Sequence, residues 1–124
     1  MENFRFSEWP VYKLAKEITS VVFGLTKSFP QGFRYDLGSQ LNRSVISIVL
    51  NIAEGSGKGS DRDFTRFLNI ATGSINETFA GLDLARDNGL ISKGDFNAAA
   101  LQLLDIAKQL TGFRKKLQSK VHSS

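Results

Sequence analysis

Apolar residues recur along almost the whole chain with the 3.6-residue period of an α-helix. The most informative stretch is the β-branched segment from Leu37 to about Gly55, whose composition alone would suit a buried strand. Its polar residues obey the helical period as well, at successive steps of four, three, four and three: Gln40, Ser44, Ser47, Asn51 and Glu54. A strand would distribute those residues over both faces of a sheet. The pattern therefore predicts a helix here.

Three further segments show the same period, so the chain is predicted to contain four helices. The first runs from about Glu8 to Lys27 and ends before Pro30, the third covers about 62–88, and the fourth follows Ser92 to the basic end. Three sets of residues are predicted as helix caps: Ser60 or Asp61, Gly89, and Ser92-x-x-Asp95. Short connections favour an all-α, antiparallel up-down-up-down four-helix bundle. We expect one domain over residues 1–120 and a frayed tail at 121–124.

Some residues in these helices predict close contacts or exposed surface. The second segment is apolar around most of its circumference, so it is expected to be buried on more than one side, one of which another subunit could supply. Gly73 and Gly81 cost about 1 kcal/mol each inside a helix relative to alanine, which predicts close approach of a neighbouring helix. Most aromatic residues fall at core positions, whereas Trp9 and Phe33 do not and are expected to be exposed.

Composition argues against catalysis. The chain has no cysteine and a single histidine, His122, which excludes thiolate chemistry, Cys-His and Ser-His catalysis within the folded helices, and a multi-histidine metal site. Arg43, Asn51 and Glu54 form a conceivable catalytic cluster, but a single carboxylate without a second acid, base or metal makes a poor active site. A polar network that fixes the register of the helices is the preferred interpretation. No enzyme activity, cofactor or metal is predicted.

No membrane or secretory segment is expected. The longest apolar stretch, Val45 to Ala53, is much shorter than the ~20 residues that span a bilayer. Residues 1–9 contain charges and no apolar core of a signal peptide. A cytoplasmic location is therefore expected.

Basic charge is concentrated at the C-terminal end. The net charge is +4, yet the five basic residues between Lys108 and Lys120, without an acidic one among them, leave 11 basic and 12 acidic residues elsewhere. Such a segment suits nucleic acid or another polyanion, and equally a solvated helix end favoured by the helix dipole. A second basic group follows the glycine-rich turn 55–60, which does not match a phosphate-binding loop. The candidate nucleic-acid-binding residues are Lys108, Arg114, Lys115, Lys116, Lys120, Lys58, Arg62 and Arg66.

Several motifs resemble a known family. They are Leu37 to Gly57 with its Asn51-Ile52-Ala53-Glu54-Gly55 string, the following Phe64-x-x-Phe67-Leu68-x-Ile70-Ala71-x-Gly73-Ser74-x-x-Glu77, and the early Phe4-x-x-x-x-Trp9-x-x-Tyr12-x-Leu14-Ala15 with Phe29-Pro30. Together they resemble the bacterial four-helix-bundle proteins related to the 23S rRNA intervening-sequence protein. The motif residues, which are equally the candidates for the structural polar network, are Gln40, Arg43, Ser47, Asn51, Glu54, Gly55, Gly73, Ser74 and Glu77.

The resemblance implies an antiparallel four-helix bundle assembled into a homopentameric ring, in a family without known enzymes. Its relatives include the accessory protein of diversity-generating retroelements, a basic pentamer that binds a reverse transcriptase and nucleic acid. This chain departs from the family pattern at Asn42, often a second basic residue, and at Val49, often proline.

Two hypotheses for function follow. In the first, the protein is a non-catalytic oligomeric scaffold that binds RNA or a ribonucleoprotein through its basic surface. In the second, it is a protein-interaction bundle, for example a reverse-transcriptase accessory protein, and its basic end only solvates the helix.

Overall fold

The chain forms an all-α fold of five helices, and the residues that the structure describes include no strand. The computed structural model describes the backbone of residues 2–123 and the side chains of residues 2–119. A short 3-10 segment, Glu2–Glu8, precedes the helices. They are α1 (Pro10–Lys27), α2 (Gln31–Phe33), α3 (Ser39–Ser56), α4 (Asp61–Asp87) and α5 (Lys93–Ser123), with a π-helical turn at Arg34–Gly38 between α2 and α3.

The four long helices form a helical bundle in which α3 packs on α1 and α4, and α5 packs on α1 and α4. Each contributes its periodic apolar stripe to one core, in agreement with the amphipathic pattern of the sequence. The largest fully buried side chains come from all four helices and the turn after α1: Ile18, Phe29, Leu41, Ile48, Ile52, Leu68, Leu82, Leu103, Ile106 and Leu110. The β-branched segment that follows Gly38 is thus a helix, as predicted.

The predicted caps are confirmed where the structure describes them. The Ser60 hydroxyl accepts a hydrogen bond from the Asp63 amide at 3.1 Å, so Ser60 is the N-cap of α4. Gly89 follows α4 with a φ of 71°, and its amide and that of Leu90 donate to carbonyls of the last turn. Ser92 caps α5 by accepting from the Asp95 amide at 3.0 Å. These caps hold the ends of α4 and α5 in place.

Two parts of the helix assignment differ from the prediction. α1 begins at Pro10 rather than Glu8, because the preceding residues form the 3-10 segment. Residues 31–36 fall between two predicted helices, but 31–33 are α-helical and 34–38 form the π-helical turn. Pro30 stands just before α2, where its missing amide hydrogen removes no helical hydrogen bond. The side chains from residue 120 onward, including that of His122, lie outside the described residues, so the frayed tail stays a prediction.

The close approach of a neighbouring helix is confirmed at Gly81 and is not found within the protomer at Gly73. A Cβ atom on Gly81 would lie 2.6 Å from Leu41 Cδ2, so Gly81 permits close approach of α3. A Cβ on Gly73 would meet nothing within 4 Å, because Gly73 faces away from the neighbouring helices. The expectation for Trp9 is wrong: its ring is partly buried against Phe64 and Phe113. Phe33 is exposed as expected.

Among the described residues, none of the helices combines the length and the apolar character needed to cross a membrane.

Candidate nucleic-acid interface

An aromatic cluster joins the start of α4 to the C-terminal part of α5. The Trp9 ring stacks on Phe64 with centroids 6.0 Å apart and lies 5.4 Å from Phe113. Phe64 and Phe113 themselves are 6.3 Å apart. Each such aromatic pair stabilises the fold by about 0.5–1.5 kcal/mol in addition to the contribution of the surface area that it buries. The cluster therefore fixes the first turn of α4 beside residues 110–117 of α5.

The basic residues at the start of α4 gather around one ring. Lys58 Nζ lies 4.9 Å from the centroid of Phe67, and the Arg66 guanidinium lies 4.5 Å from it. Both side chains also face carboxylates: Lys58 lies 3.7 Å from Glu54, and Arg66 lies 3.9 Å from Asp63. The pairs are solvent-exposed, so each is worth at most about 1 kcal/mol and leaves the cations accessible. Arg62 is exposed beside them.

The basic residues of α5 divide into two kinds. Lys108, Lys115 and Lys116 are exposed, and none forms an ion pair with the residues that the structure describes. Arg114 instead turns toward α4, where its guanidinium donates to Asn69 Oδ1 at 3.1 Å and Thr72 Oγ1 at 2.9 Å. Arg114 thus ties α5 to α4 and is less available to a ligand than the three lysines. The side chain of Lys120 lies outside the described residues.

The aromatic cluster brings the start of α4 and residues 113–116 of α5 to one end of the bundle. Phe64 is next to Arg62 and Arg66 in α4, and it contacts Phe113, which is next to Arg114 and Lys115 in α5. Arg62 and Arg66 therefore lie at the same end of the bundle as Lys115 and Lys116, whereas Lys108 lies about two turns earlier in α5. Asp61 and Asp63 occupy the same first turn of α4, where the helix dipole favours them, and they reduce the positive charge on that side. The lysines of α5 consequently form the more strongly positive part of this basic end.

A second set of predicted residues lies along the contact between α3 and α4. Gln40 donates to Glu77 Oε1 at 3.2 Å, and the Ser47 and Ser74 hydroxyl oxygens are 2.7 Å apart. Asn51 donates to the Ser47 carbonyl at 2.8 Å. Every described buried side-chain polar atom has a hydrogen-bond partner. These residues form a polar ladder that holds α3 and α4 in one register.

The ladder includes two residues that sequence reasoning did not assign to it. The buried Ser44 and Thr78 hydroxyl oxygens lie 2.7 Å apart, one turn from the Ser47–Ser74 contact. Ser44 was visible as part of the polar period, but its partner was not. Gly55 belongs to the same contact for a different reason, because a Cβ there would lie 2.9 Å from Phe64 Cδ1 and Phe67 Cβ.

Arg43 and Glu54, the other two members of the conceivable catalytic cluster, stand apart from the ladder. Arg43 is exposed and pairs with no described carboxylate, and Glu54 is exposed and faces Lys58. With Asn51 bonded to Ser47, the structure does not bring the three residues together around one point.

Sequence comparison agrees with this architecture. The model of the family described as 23S rRNA-intervening sequence protein matches residues 7–112, which is most of the chain. The chain belongs to that family. The match covers Trp9 and Phe64 of the aromatic cluster, the polar ladder, and Lys93 and Lys108 of α5, and it ends just before Phe113. No curated protein matches the chain.

A solved structure supports the assignment of the chain to the 23S rRNA-intervening sequence protein family. It is described as a protein of unknown function from the S23 ribosomal protein family of Bacteroides thetaiotaomicron VPI-5482. The two chains are 27% identical and superpose with a TM-score of 0.79 over 85% of this chain and 98% of the other. The helical fold is thus shared over nearly the whole of that relative.

Proposed function

We propose that this protein is a non-catalytic, oligomeric helical scaffold that binds RNA, alone or in a ribonucleoprotein, through the basic end of the bundle. The observation that carries the proposal is the aromatic contact that puts Lys58, Arg62 and Arg66 at the same end of the bundle as Lys115 and Lys116. Arg114 is also a candidate for phosphate contact, but its contribution is expected to be smaller because its guanidinium already donates hydrogen bonds to α4.

The α5 lysines are exposed and without described carboxylate partners, which favours phosphate binding. Lys108, Lys115 and Lys116 are exposed and face no described carboxylate, so a phosphate would not have to displace an existing partner. Each phosphate contact releases condensed counterions, which makes affinity strongly dependent on salt. A single protomer offers few such contacts, so useful affinity would come from several protomers acting together.

Self-association is supported by an exposed apolar face on α3 and α4. Leu50 is 58% exposed, Ile70 is 42% exposed and Ile46 is 36% exposed. Gly73, with open space around it, lies one turn from Ile70 and would allow the backbone of another subunit to approach closely. We name Ile46, Leu50, Ile70 and Gly73 the association face. Together with the antiparallel four-helix arrangement, the homopentameric ring implied by the family resemblance is part of this proposal.

A non-catalytic role is supported by the way the polar residues are used. The polar side chains between α3 and α4 are bonded to one another, and Glu54 faces Lys58 rather than a second acid or base. Residues of this kind fix helix register and leave no free acid–base pair for chemistry.

Binding of the full chain to a hairpin RNA, followed by fluorescence anisotropy across a salt series, tests the proposal. We expect the logarithm of the association constant to fall linearly with the logarithm of the salt concentration. The slope of that line should be steeper by about 0.7–0.9 for each phosphate that the protein contacts. An absence of binding at low salt would refute an RNA-binding role. The second hypothesis, a bundle that binds only protein, would then be preferred, and the exposed apolar surface between α4 and α5 is the observation that favours it.

A further inference from the structure

An open groove of about 590 Å³ lies between α4 and α5, separate from the polar ladder and from the association face. Its walls are largely apolar and include Ile75 and Phe79 of α4 and Ala100, Leu101, Leu104 and Ala107 of α5. Leu101 is 68% exposed, Leu104 49% and Phe79 44%, so the most exposed large hydrophobic side chains of α5 gather here. Clustered apolar exposure of this kind is typical of an interaction surface.

The groove continues into a basic depression. Leu104 and Ala107 also line a neighbouring hollow of about 480 Å³, to which Lys108, Thr111 and Lys115 contribute. Neither lysine pairs with a described carboxylate. The surface along α5 is therefore apolar in its first half and cationic in its second half, which gives any elongated ligand a preferred direction.

We propose that this groove binds an amphipathic, acidic α-helix of another protein. Leu101, Leu104, Lys108, Thr111 and Lys115 follow one another along α5 at steps of three, four, three and four residues, so they form one straight ridge beside α4. Asn97, which also lines the groove, lies one turn before Leu101 and extends this ridge. From Asn97 to Lys115 the ridge is about 27 Å long at 1.5 Å per residue, which accommodates five turns of a partner helix. The apolar stripe of the partner covers Leu101 and Leu104, and its carboxylates lie beside Lys108 and Lys115.

Charge favours a different protein over a second copy of this chain. A second copy that docked through its association face would present Arg43, Glu54 and Glu77, the charged residues nearest that face in α3 and α4. Glu54 already faces Lys58, and Glu77 already accepts from Gln40. A second copy would therefore bring the exposed cation Arg43 to the lysines of the groove, together with two carboxylates that already have partners.

Two pairs of matched peptides test the proposal with the full chain. Each peptide is a designed 18-residue helix with leucines on one face. Within a pair, three residues at one end are glutamate in one peptide and lysine in the other, and the two pairs carry these charges at opposite ends. We expect the glutamate peptide, in one placement, to bind at least about tenfold more tightly than its lysine counterpart at low salt. Binding of neither peptide at about 0.1 mM, or equal binding of both, would overturn the proposal.

Variants locate the site. Leu101→Glu puts a carboxylate where the apolar stripe would bind, so we expect it to weaken the glutamate peptide about tenfold or more. Lys108→Glu with Lys115→Glu should reverse the preference in favour of the lysine peptide. Leu84→Glu, at an exposed leucine of α4 that does not line the groove, should change neither affinity. Because Leu101 is exposed, the helical content of its variant should be that of the parent. If Leu101→Glu instead dissociates an oligomer of the unliganded chain, a second copy occupies the groove and the proposal is wrong.

Discussion

The hydroxyl oxygens of Ser44 and Thr78 lie 2.7 Å apart in the buried contact between α3 and α4. Ser44 Oγ is also 3.0 Å from the Leu41 carbonyl, and Thr78 Oγ1 is 2.8 Å from the Ser74 carbonyl. Two hydroxyl protons therefore serve three possible hydrogen bonds, and the carbonyls offer each hydroxyl a partner within its own helix. The pair is a cross-helix contact whose members remain hydrogen-bonded if the other is removed.

That arrangement predicts modest and coupled losses of stability. Ser44→Ala and Thr78→Val should each lower the free energy of unfolding by about 0.5–1.5 kcal/mol, because the remaining hydroxyl keeps its carbonyl partner. The double variant should lose less than the sum of the two, since both remove the same contact. Urea denaturation of the four proteins measures this, and strictly additive losses would show that the hydroxyls do not interact.

Two glycines provide a matched test of helix packing. Gly81→Ala should destabilise the protein by about 1–3 kcal/mol, because its Cβ would lie 2.6 Å from Leu41 Cδ2 and 2.9 Å from its Cγ in a packed core. Gly24→Ala in α1 should stabilise it by about 0.5–1 kcal/mol, because nothing lies within 4 Å of that Cβ and alanine favours the helix. Thermal unfolding compares the two, and opposite signs are the expected result. A stabilised Gly81→Ala variant would contradict the close contact of α3 and α4.

The exposed position of Glu54 predicts a near-neutral substitution. Its carboxylate is 57% exposed and faces Lys58 at 3.7 Å, so Glu54→Gln should change the free energy of unfolding by less than about 0.5 kcal/mol. RNA binding and assembly should also be retained. A loss of more than about 2 kcal/mol, measured by denaturation, would mean that Glu54 belongs to a buried network after all.

The association face predicts how assembly can be weakened without unfolding the protomer. Leu50→Glu places a charge where Leu50 is 58% exposed, so it should reduce the molar mass seen by light scattering while leaving the helical content unchanged. Gly73→Ala should stabilise the protomer and weaken assembly, because its Cβ would occupy the space left for a neighbouring subunit. Glu17→Gln in α1, outside the face, serves as the control. Unchanged molar mass for Leu50→Glu would contradict this assignment of the face.

The helices and their caps could be predicted from local sequence because their causes are local. The polar period of residues 40–54, Ser60 before α4 and Gly89 after it each act within a few residues of their own position. The helical course of residues 31–36 was missed for a related reason. Pro30 indicates the end of α1, but a proline just before a helix is as favourable as one in a turn, so the sequence around it is ambiguous.

The parts that sequence could not predict depend on contacts between distant positions. In the sequence, Arg114 is one of five equivalent cations. In the structure it donates hydrogen bonds to Asn69 and Thr72, which are more than 40 positions away. Gly73 and Gly81 look alike in sequence, and only the path of α3 separates the packed glycine from the open one. The groove was likewise hidden, because exposure of Leu101 and Leu104 is decided by where α4 lies.

The most direct test of the central claim compares three proteins binding one hairpin RNA across a salt series. They are the parent, a Lys115→Gln and Lys116→Gln double variant, and a control with Lys93→Gln and Lys27→Gln, which removes the same charge away from the basic end. The account predicts that the first pair lowers the salt slope by about 1.4–1.8 for each protomer that contacts the RNA, the value for two lost phosphate contacts, while the control pair leaves it unchanged. Equal losses in both variants would show that RNA responds only to net charge and would contradict a binding site at this end of the bundle.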